Sequence, residues 1–315
     1  MFSKTDEIKS PRTAYGKTLA ELGKENKNIV ALDADLSCST QTCLFAKEFP
    51  ERFFNIGIAE QDMMTTAAGL ATVGKIPFVS TFAMFATARC LDQIRNSICY
   101  PKLNVKIVAT HGGITVGEDG ASHQALEDVS FMRSIPDIMV IVPADYNEVT
   151  QVIKYAAKHV GPMYIRVSRT NLKSVFSEDY KFDPKKAVKI TEGKDVTIIT
   201  NGETLIEAIE AGKILKTKGI EAEILHIPVV KPFFAEDDVI KSAQKTKKVV
   251  TIENHSIIGG LGSAICEILS EKAPTKVLRI GTNDEFGQSG EQRELVKLYG
   301  LDYESVAKKI TEFCK

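Results

Sequence analysis

The sequence predicts two α/β domains, each a mostly parallel sheet flanked by helices. Two observations predict this. Short β-rich runs alternate with amphipathic helical runs along most of the 315 residues. The alternation stops once, in a polar stretch, and then resumes. Parallel neighbours need a crossover, and a helix between strands supplies one that covers the sheet. The length is enough for two domains of ordinary size.

The first domain is expected over 1–172. Residues 13–24 read as a helix and Ile29-Val-Ala-Leu-Asp33 as a strand. A short strand at 53–56 precedes a helix at 60–74, whose residues are largely small and apolar. Residues 77–81 are a strand and 86–99 a helix. A strand at 105–110 is followed by a helix at 123–133. Strands at 139–142 and 163–167 flank a helix at 147–158. From 173 to 194 the chain is polar and charged, with Pro184 inside, and reads as a linker. The second domain, 195–315, has strands at 196–200, 222–227, 248–252 and 276–280. Its helices are at 203–218, 262–269, 291–298 and 303–313.

Composition narrows the function. Charged residues are 26% and hydrophobic residues 43%, as in a soluble globular protein. A net charge of −1 argues against a nucleic-acid partner, which favours a basic face. The six cysteines lack paired metal-ligand spacing and read as reduced thiols. No secretory h-region is visible. The apolar stretch 67–88 is interrupted by Lys75 and Pro77, so it reads as a buried helix and strand rather than a bilayer span. A cytoplasmic protein with no membrane partner is expected.

Glu60 is the most informative residue. A carboxylate heading an apolar helix is costly unless something uses it. Two readings fit it equally: a group that shares a proton with a buried base, or a helix N-terminal cap. Further polar clusters follow predicted strands, and open parallel sheets bind ligands beyond those C-terminal ends. They include Asp35 and Ser39 after the first strand, and Phe82 and Phe85 after the strand at 77–81. Another is the loop His111-Gly-Gly-Ile-Thr-Val-Gly-Glu-Asp119-Gly-Ala-Ser-His123, and the last is Ser168-Arg169. Each also has an ordinary reading: turn formers for His111 and Asp119-Gly120, a surface ion pair for Arg169, core for the aromatics. Gly259-Gly-Leu-Gly262 lacks a full dinucleotide fingerprint and reads as a strand-to-helix turn.

Taken in order, these stretches resemble the C-terminal half of transketolase, a thiamine-diphosphate enzyme. The matching segments include Ala-Asp35-Leu-Ser-Cys-Ser39, Asn-Ile-Gly-Ile-Ala-Glu60-Gln, Ser-Thr-Phe82-Ala-Met-Phe85 and Asp92-Gln-Ile-Arg95. The His111–His123 loop, Ile-Arg-Val-Ser-Arg169 and Val-Thr-Ile-Glu-Asn-His255 complete the set. The resemblance implies a pyrimidine-binding domain followed by the family's C-terminal domain. It implies that Glu60 hydrogen-bonds N1′ of the cofactor's aminopyrimidine and so activates the thiazolium. Phe85 and Phe82 would form the aromatic pocket for that ring, and Asp35 would lie beside the cofactor. Arg12, Ser39, His111 and Arg169 would hold the sugar phosphate. Asp119 and His123 would contact substrate hydroxyls, His123 also taking part in catalysis. The helix after Phe85 is spaced differently from some relatives, so a third pocket aromatic is not assigned.

The family's Gly-Asp-Gly motif, which holds the diphosphate and a divalent metal, is absent from the sequence. No metal ligand is therefore expected here. An N-terminal subunit would carry the metal (magnesium or calcium), and this chain would pair with itself inside a heterotetramer. The activity implied is transfer of a two-carbon ketol unit between sugar phosphates. Two alternatives stay open on the sequence alone. One is a fragment of a relative such as deoxyxylulose-phosphate synthase or a 2-oxo acid dehydrogenase β chain. The other is a non-catalytic regulatory subunit.

Overall fold

A computed structural model describes residues 1–3 and 7–315 of the chain. Its first sheet has seven strands, in the order Val229–Lys231, Met139–Ile141, Met163–Val167, Lys106–Thr110, Ile76–Phe82, Ile29–Asp33, Phe53–Asn55. Six of them are parallel. The seventh, Val229–Lys231, arrives antiparallel from the second half of the chain. Ile29–Asp33, Lys106–Thr110 and Met163–Val167 are buried along their whole length. Such strands are covered on both faces, which explains their continuous apolar character.

One face of this sheet carries Leu32, Met63, Ala67, Val79 and Ile107 in a core beneath the helix Glu60–Thr72. The other packs Tyr15, Leu19, Phe78, Val152 and Ile153 beneath the helices Pro11–Glu25 and Tyr146–Lys158. Pro11–Glu25 starts where Ser10 accepts from the Thr13 amide (3.3 Å) and Pro11 takes the first helical position. Asp145 caps Tyr146–Lys158 by accepting from the Glu148 amide at 2.9 Å.

The second sheet runs Lys276–Thr282, Lys248–Ser256, Val196–Thr200, Ala222–His226, Val188–Thr191. The first four strands are parallel and the last is antiparallel. Its cores gather around Leu205, Ile224, Val250 and Ile310 on one side, and Leu225, Val239, Val249 and Ile265 on the other.

Three expectations are corrected. The stretch 173–194 is not a bare linker. It contains the strand Val188–Thr191, and Phe176 and Tyr180 stack at 4.2 Å inside the second domain's core. Residues 123–127 are not helical, and the helix is Asp128–Ser134. The buried Gln124 side chain donates to the carbonyls of Ile114 and Gln288, which holds this segment in the loop. The helix expected at 86–99 is broken into Ala83–Thr87 and a π-helical turn, Gln93–Cys99. Within the chain, Glu60–Thr72 is buried on one side, with Gln61, Thr65, Gly69 and Thr72 turned away from the core.

Candidate active site

The candidate residues converge at the C-terminal ends of the parallel strands. Phe82 ends Ile76–Phe82, and His111 follows Lys106–Thr110. The Phe82 ring stacks on His111 (3.8 Å between centroids) and on Phe85 (5.9 Å). His123 stands edge-on to both phenylalanines, 5.2 Å from Phe85 and 6.3 Å from Phe82. Four residues from three separate stretches of the chain thus form one aromatic wall.

Glu60 is 2% exposed and heads its helix. Its Oε2 accepts from Arg89 Nη1 at 2.8 Å. The Arg89 guanidinium also lies over the Phe85 ring, 4.5 Å from the centroid. Arg89 is not among the residues that the sequence singles out. The one hint there is the altered spacing of the stretch after Phe85.

His111 is 3% exposed and sits at φ 60°, a left-handed conformation uncommon for a residue with a Cβ. Its Nδ1 shares a 2.7 Å hydrogen bond with the Thr110 hydroxyl. Burial, then the positive charges of Arg12 and Arg169, push its pKa down to about 3. The imidazole is therefore neutral at physiological pH, with one N–H to donate.

Arg12 is lowered from its usual value by burial and by the nearby Arg169 cation. Its Nη1 donates to the Ser39 carbonyl at 2.8 Å, while its buried Nε has no partner. Arg169 donates to the Val116 carbonyl. Among the described residues neither guanidinium forms an ion pair with a carboxylate. Two close cations with an orphaned buried donor, beside a neutral imidazole, are chemically suited to a dianion such as phosphate.

The remaining candidates lie at the edges. Asp35 is exposed at φ 64° and is tied to Asn55, whose Nδ2 donates to it at 3.1 Å. Asp119 is exposed at the end of the 3-10 segment Ile114–Asp119. Among the described residues no group of three or more His, Cys, Asp or Glu side chains could hold a metal ion. Gly259-Gly-Leu-Gly262 is a turn whose helix start is already occupied. The Glu253 carboxylate accepts from the Leu261 and Gly262 amides at 2.7 and 2.8 Å.

The loop that carries His111, Asp119 and His123 is held by the second domain. Asn254 accepts from the Ile114 amide (3.0 Å) and donates to the Thr115 hydroxyl (3.0 Å) and to Glu203. Gly113, at φ 78°, is required there, because an added Cβ would come within 2.3 Å of the Asn254 amide. The segment around Asn254 belongs to the resemblance, but nothing in the sequence says that it supports the loop.

A buried carboxylate beside stacked aromatic rings, with two close cations at the same edge of a parallel sheet, makes a site suited to a flat heteroaromatic ring and an anion. Comparison with known proteins gives the family. Residues 9–174 match the transketolase pyrimidine-binding domain, and 185–306 match the transketolase C-terminal domain. A putative transketolase C-terminal section from Methanocaldococcus jannaschii is 53% identical over 98% of this chain and 97% of the relative. One subunit of an apulose-4-phosphate transketolase from Phocaeicola vulgatus is 38% identical over 96% of this chain and 97% of its own length. A solved structure described as a split gene transketolase, an inactive beta4 tetramer, aligns with a TM-score of 0.90 at 51% identity. It covers 96% of this chain and 98% of that one. The chain belongs to the transketolase family and carries its pyrimidine-binding and C-terminal domains. No helix among the described residues is long and apolar enough to cross a membrane.

Proposed function

We propose that this chain is the C-terminal subunit of a two-chain transketolase. It would move a two-carbon ketol unit from a ketose phosphate to an aldose phosphate. The observation that carries the reading is the buried Glu60 beside the Phe82–Phe85 wall, with the Arg12–Arg169 pair a short way along the same edge.

The residues fit thiamine diphosphate at its pyrimidine end. Stacked aromatic rings suit a flat heteroaromatic ring, and a buried carboxylate suits a ring nitrogen that must share a proton. When bound, the cofactor supplies the carbon nucleophile that carries the transferred unit. The protein supplies orientation and charge. Glu60 holds the proton at N1′. Phe85 and Phe82 fix the ring plane. Arg12, Arg169, neutral His111 and Ser39 anchor the sugar phosphate and so set the distance from phosphate to reacting carbon. His123, on the aromatic wall, reaches substrate hydroxyls with Asp119, while Asp35 borders the cofactor.

The diphosphate and its divalent metal are assigned to an N-terminal partner subunit. The absence of Gly-Asp-Gly from the sequence supports this, as does the division of the apulose-4-phosphate relative into subunits. The exposed face of Glu60–Thr72, with Ile58 and Val73 at 78% and 72% exposure, suits a second copy of the chain. The preferred sugar is left open by the relatives. One is described as a 6-deoxy-6-sulfo-D-fructose transketolase subunit and another as belonging to an apulose-4-phosphate transketolase.

The test is an assay of the purified chain with and without its partner, using a panel of ketose and aldose phosphates with cofactor and metal. Activity is expected only with the partner. Full turnover by the chain alone would refute the split-site reading, and pyruvate-dependent turnover would favour a deoxyxylulose-phosphate synthase-like chemistry.

A further inference from the structure

Arg89 has no role in the proposed function, yet it touches two of the groups on which that function depends. Its guanidinium donates to Glu60 Oε2 at 2.8 Å and lies over the Phe85 ring at 4.5 Å. It is a flat cation that hydrogen-bonds the carboxylate and covers an aromatic face. Those are the same two residues to which the aminopyrimidine is assigned. A carboxylate oxygen and a ring face that Arg89 holds are closed to a second flat partner.

The two partners differ in freedom. Glu60 is 2% exposed, whereas the Arg89 side chain is 44% exposed. The guanidinium can therefore turn into water, where it is well solvated, while Glu60 stays in place. The backbone around Arg89 is also irregular. It lies between the short helix Ala83–Thr87 and the π-helical turn Gln93–Cys99. Such turns recur at functional sites, because they leave backbone groups unconstrained by the regular helical ladder. The Arg89 carbonyl is anchored by Gln61 Nε2 at 2.9 Å, so the side chain pivots from a fixed point next to the Glu60 helix.

We propose that Arg89 competes with the cofactor's pyrimidine end for Glu60 and Phe85, and must be displaced for the cofactor to bind. The inference rests on the thiamine-diphosphate reading of the site. Its consequence is a loading order. A ligand held only by its pyrimidine end has to replace a charge-assisted hydrogen bond and a cation–π contact, and gains little. A ligand also anchored at its diphosphate by the partner subunit has the additional binding energy needed. Arg89 would thus discourage loading of the isolated chain and favour loading of the assembled enzyme.

The experiment is calorimetric titration of thiamine diphosphate, and separately of thiamine, into the complex reconstituted with the partner subunit. Wild type, Arg89→Ala, Arg89→Lys and Glu60→Gln are compared. Removing the competitor should lower the dissociation constant for both ligands about tenfold or more in Arg89→Ala. Arg89→Lys, which keeps the charge but not the flat stacking surface, should fall between Arg89→Ala and wild type. An unchanged or higher constant in Arg89→Ala would overturn the proposal, since it would make Arg89 idle or a support for Glu60 in the loaded site. The thiamine reading fails separately. It is lost if the wild-type complex does not bind thiamine diphosphate, or binds it with no dependence on Glu60. Normal, Glu60-dependent binding with no tightening in Arg89→Ala sinks only the role of Arg89.

Discussion

Replacing Asn254 by alanine tests the idea that the second domain holds the site loop in shape. The amide makes three hydrogen bonds, to the Ile114 N–H, the Thr115 hydroxyl and Glu203. Thr115 and Glu203 keep their direct 2.6 Å bond in the variant, so they stay satisfied. The Ile114 amide does not. Ile114 is fully buried, and its N–H loses the Asn254 acceptor. An orphaned buried donor costs roughly 1–3 kcal/mol, so a loss of about that size is expected. Urea unfolding followed by circular dichroism reads it as a lower midpoint at constant slope. Because the loop carries His111, Asp119 and His123, kcat/KM for sugar phosphates should fall as well. Asn254→Asp keeps an acceptor for Ile114 but sets a second carboxylate against Glu203, and should be at least as damaging at neutral pH. A loss below about 0.5 kcal/mol in Asn254→Ala, the range of an ordinary surface change, would refute the reasoning.

Three more outcomes are expected. Glu60→Gln should lower ketol transfer by the reconstituted enzyme at least ~10²-fold, the lower end for a positioned proton-transfer group; near-normal steady-state rates would rule out its role. Arg169→Ala and His111→Ala should mainly raise KM for phosphorylated sugars, with a much smaller effect on unphosphorylated ones, and equal losses on both would mean that they do not read phosphate. Lys106 is buried, donates to the carbonyls of His159 and Gly161, and has its pKa lowered to about 7 by burial. Between that pH and the unfolded lysine value near ~10.4 the unfolded chain holds more protons, so stability should rise with pH there, by up to about 1.4 kcal/mol per unit. Urea titrations from neutral pH up to about 10 should show this rise in wild type and lose the lysine's share of it in Lys106→Met; identical pH profiles would exclude the assignment.

The order of elements was legible because it depends on local chemistry. Ile29–Asp33, Met163–Val167 and Val196–Thr200 are apolar runs bounded by polar turns, and the strands match the expected residues at both ends. Pairing was less visible. Val229–Lys231 extends the first sheet from the second half of the chain, and Val188–Thr191 lies in a stretch too polar to suggest a strand. Its alternating half-exposed pattern belongs to an edge, where one face and one side meet water.

The candidate site divides along the same line. Glu60, the Phe82–Phe85 pair, His111 and Arg169 were candidates in the sequence because each follows an expected strand and stands in a segment that resembles the family's. Their states came from the tertiary structure. The neutrality of His111 depends on burial and on two arginines from elsewhere in the chain. The orphaned Nε of Arg12 is a property of the packed pocket. The Arg89–Glu60 contact joins residues 29 positions apart on two different elements, and Asn254 reaches the site loop across 140 residues. Sequence patterns encode which groups a chain carries and on which elements, because propensity and periodicity act over a few residues. Charge state, competition for a shared partner and support from another domain depend on distances that only folding creates.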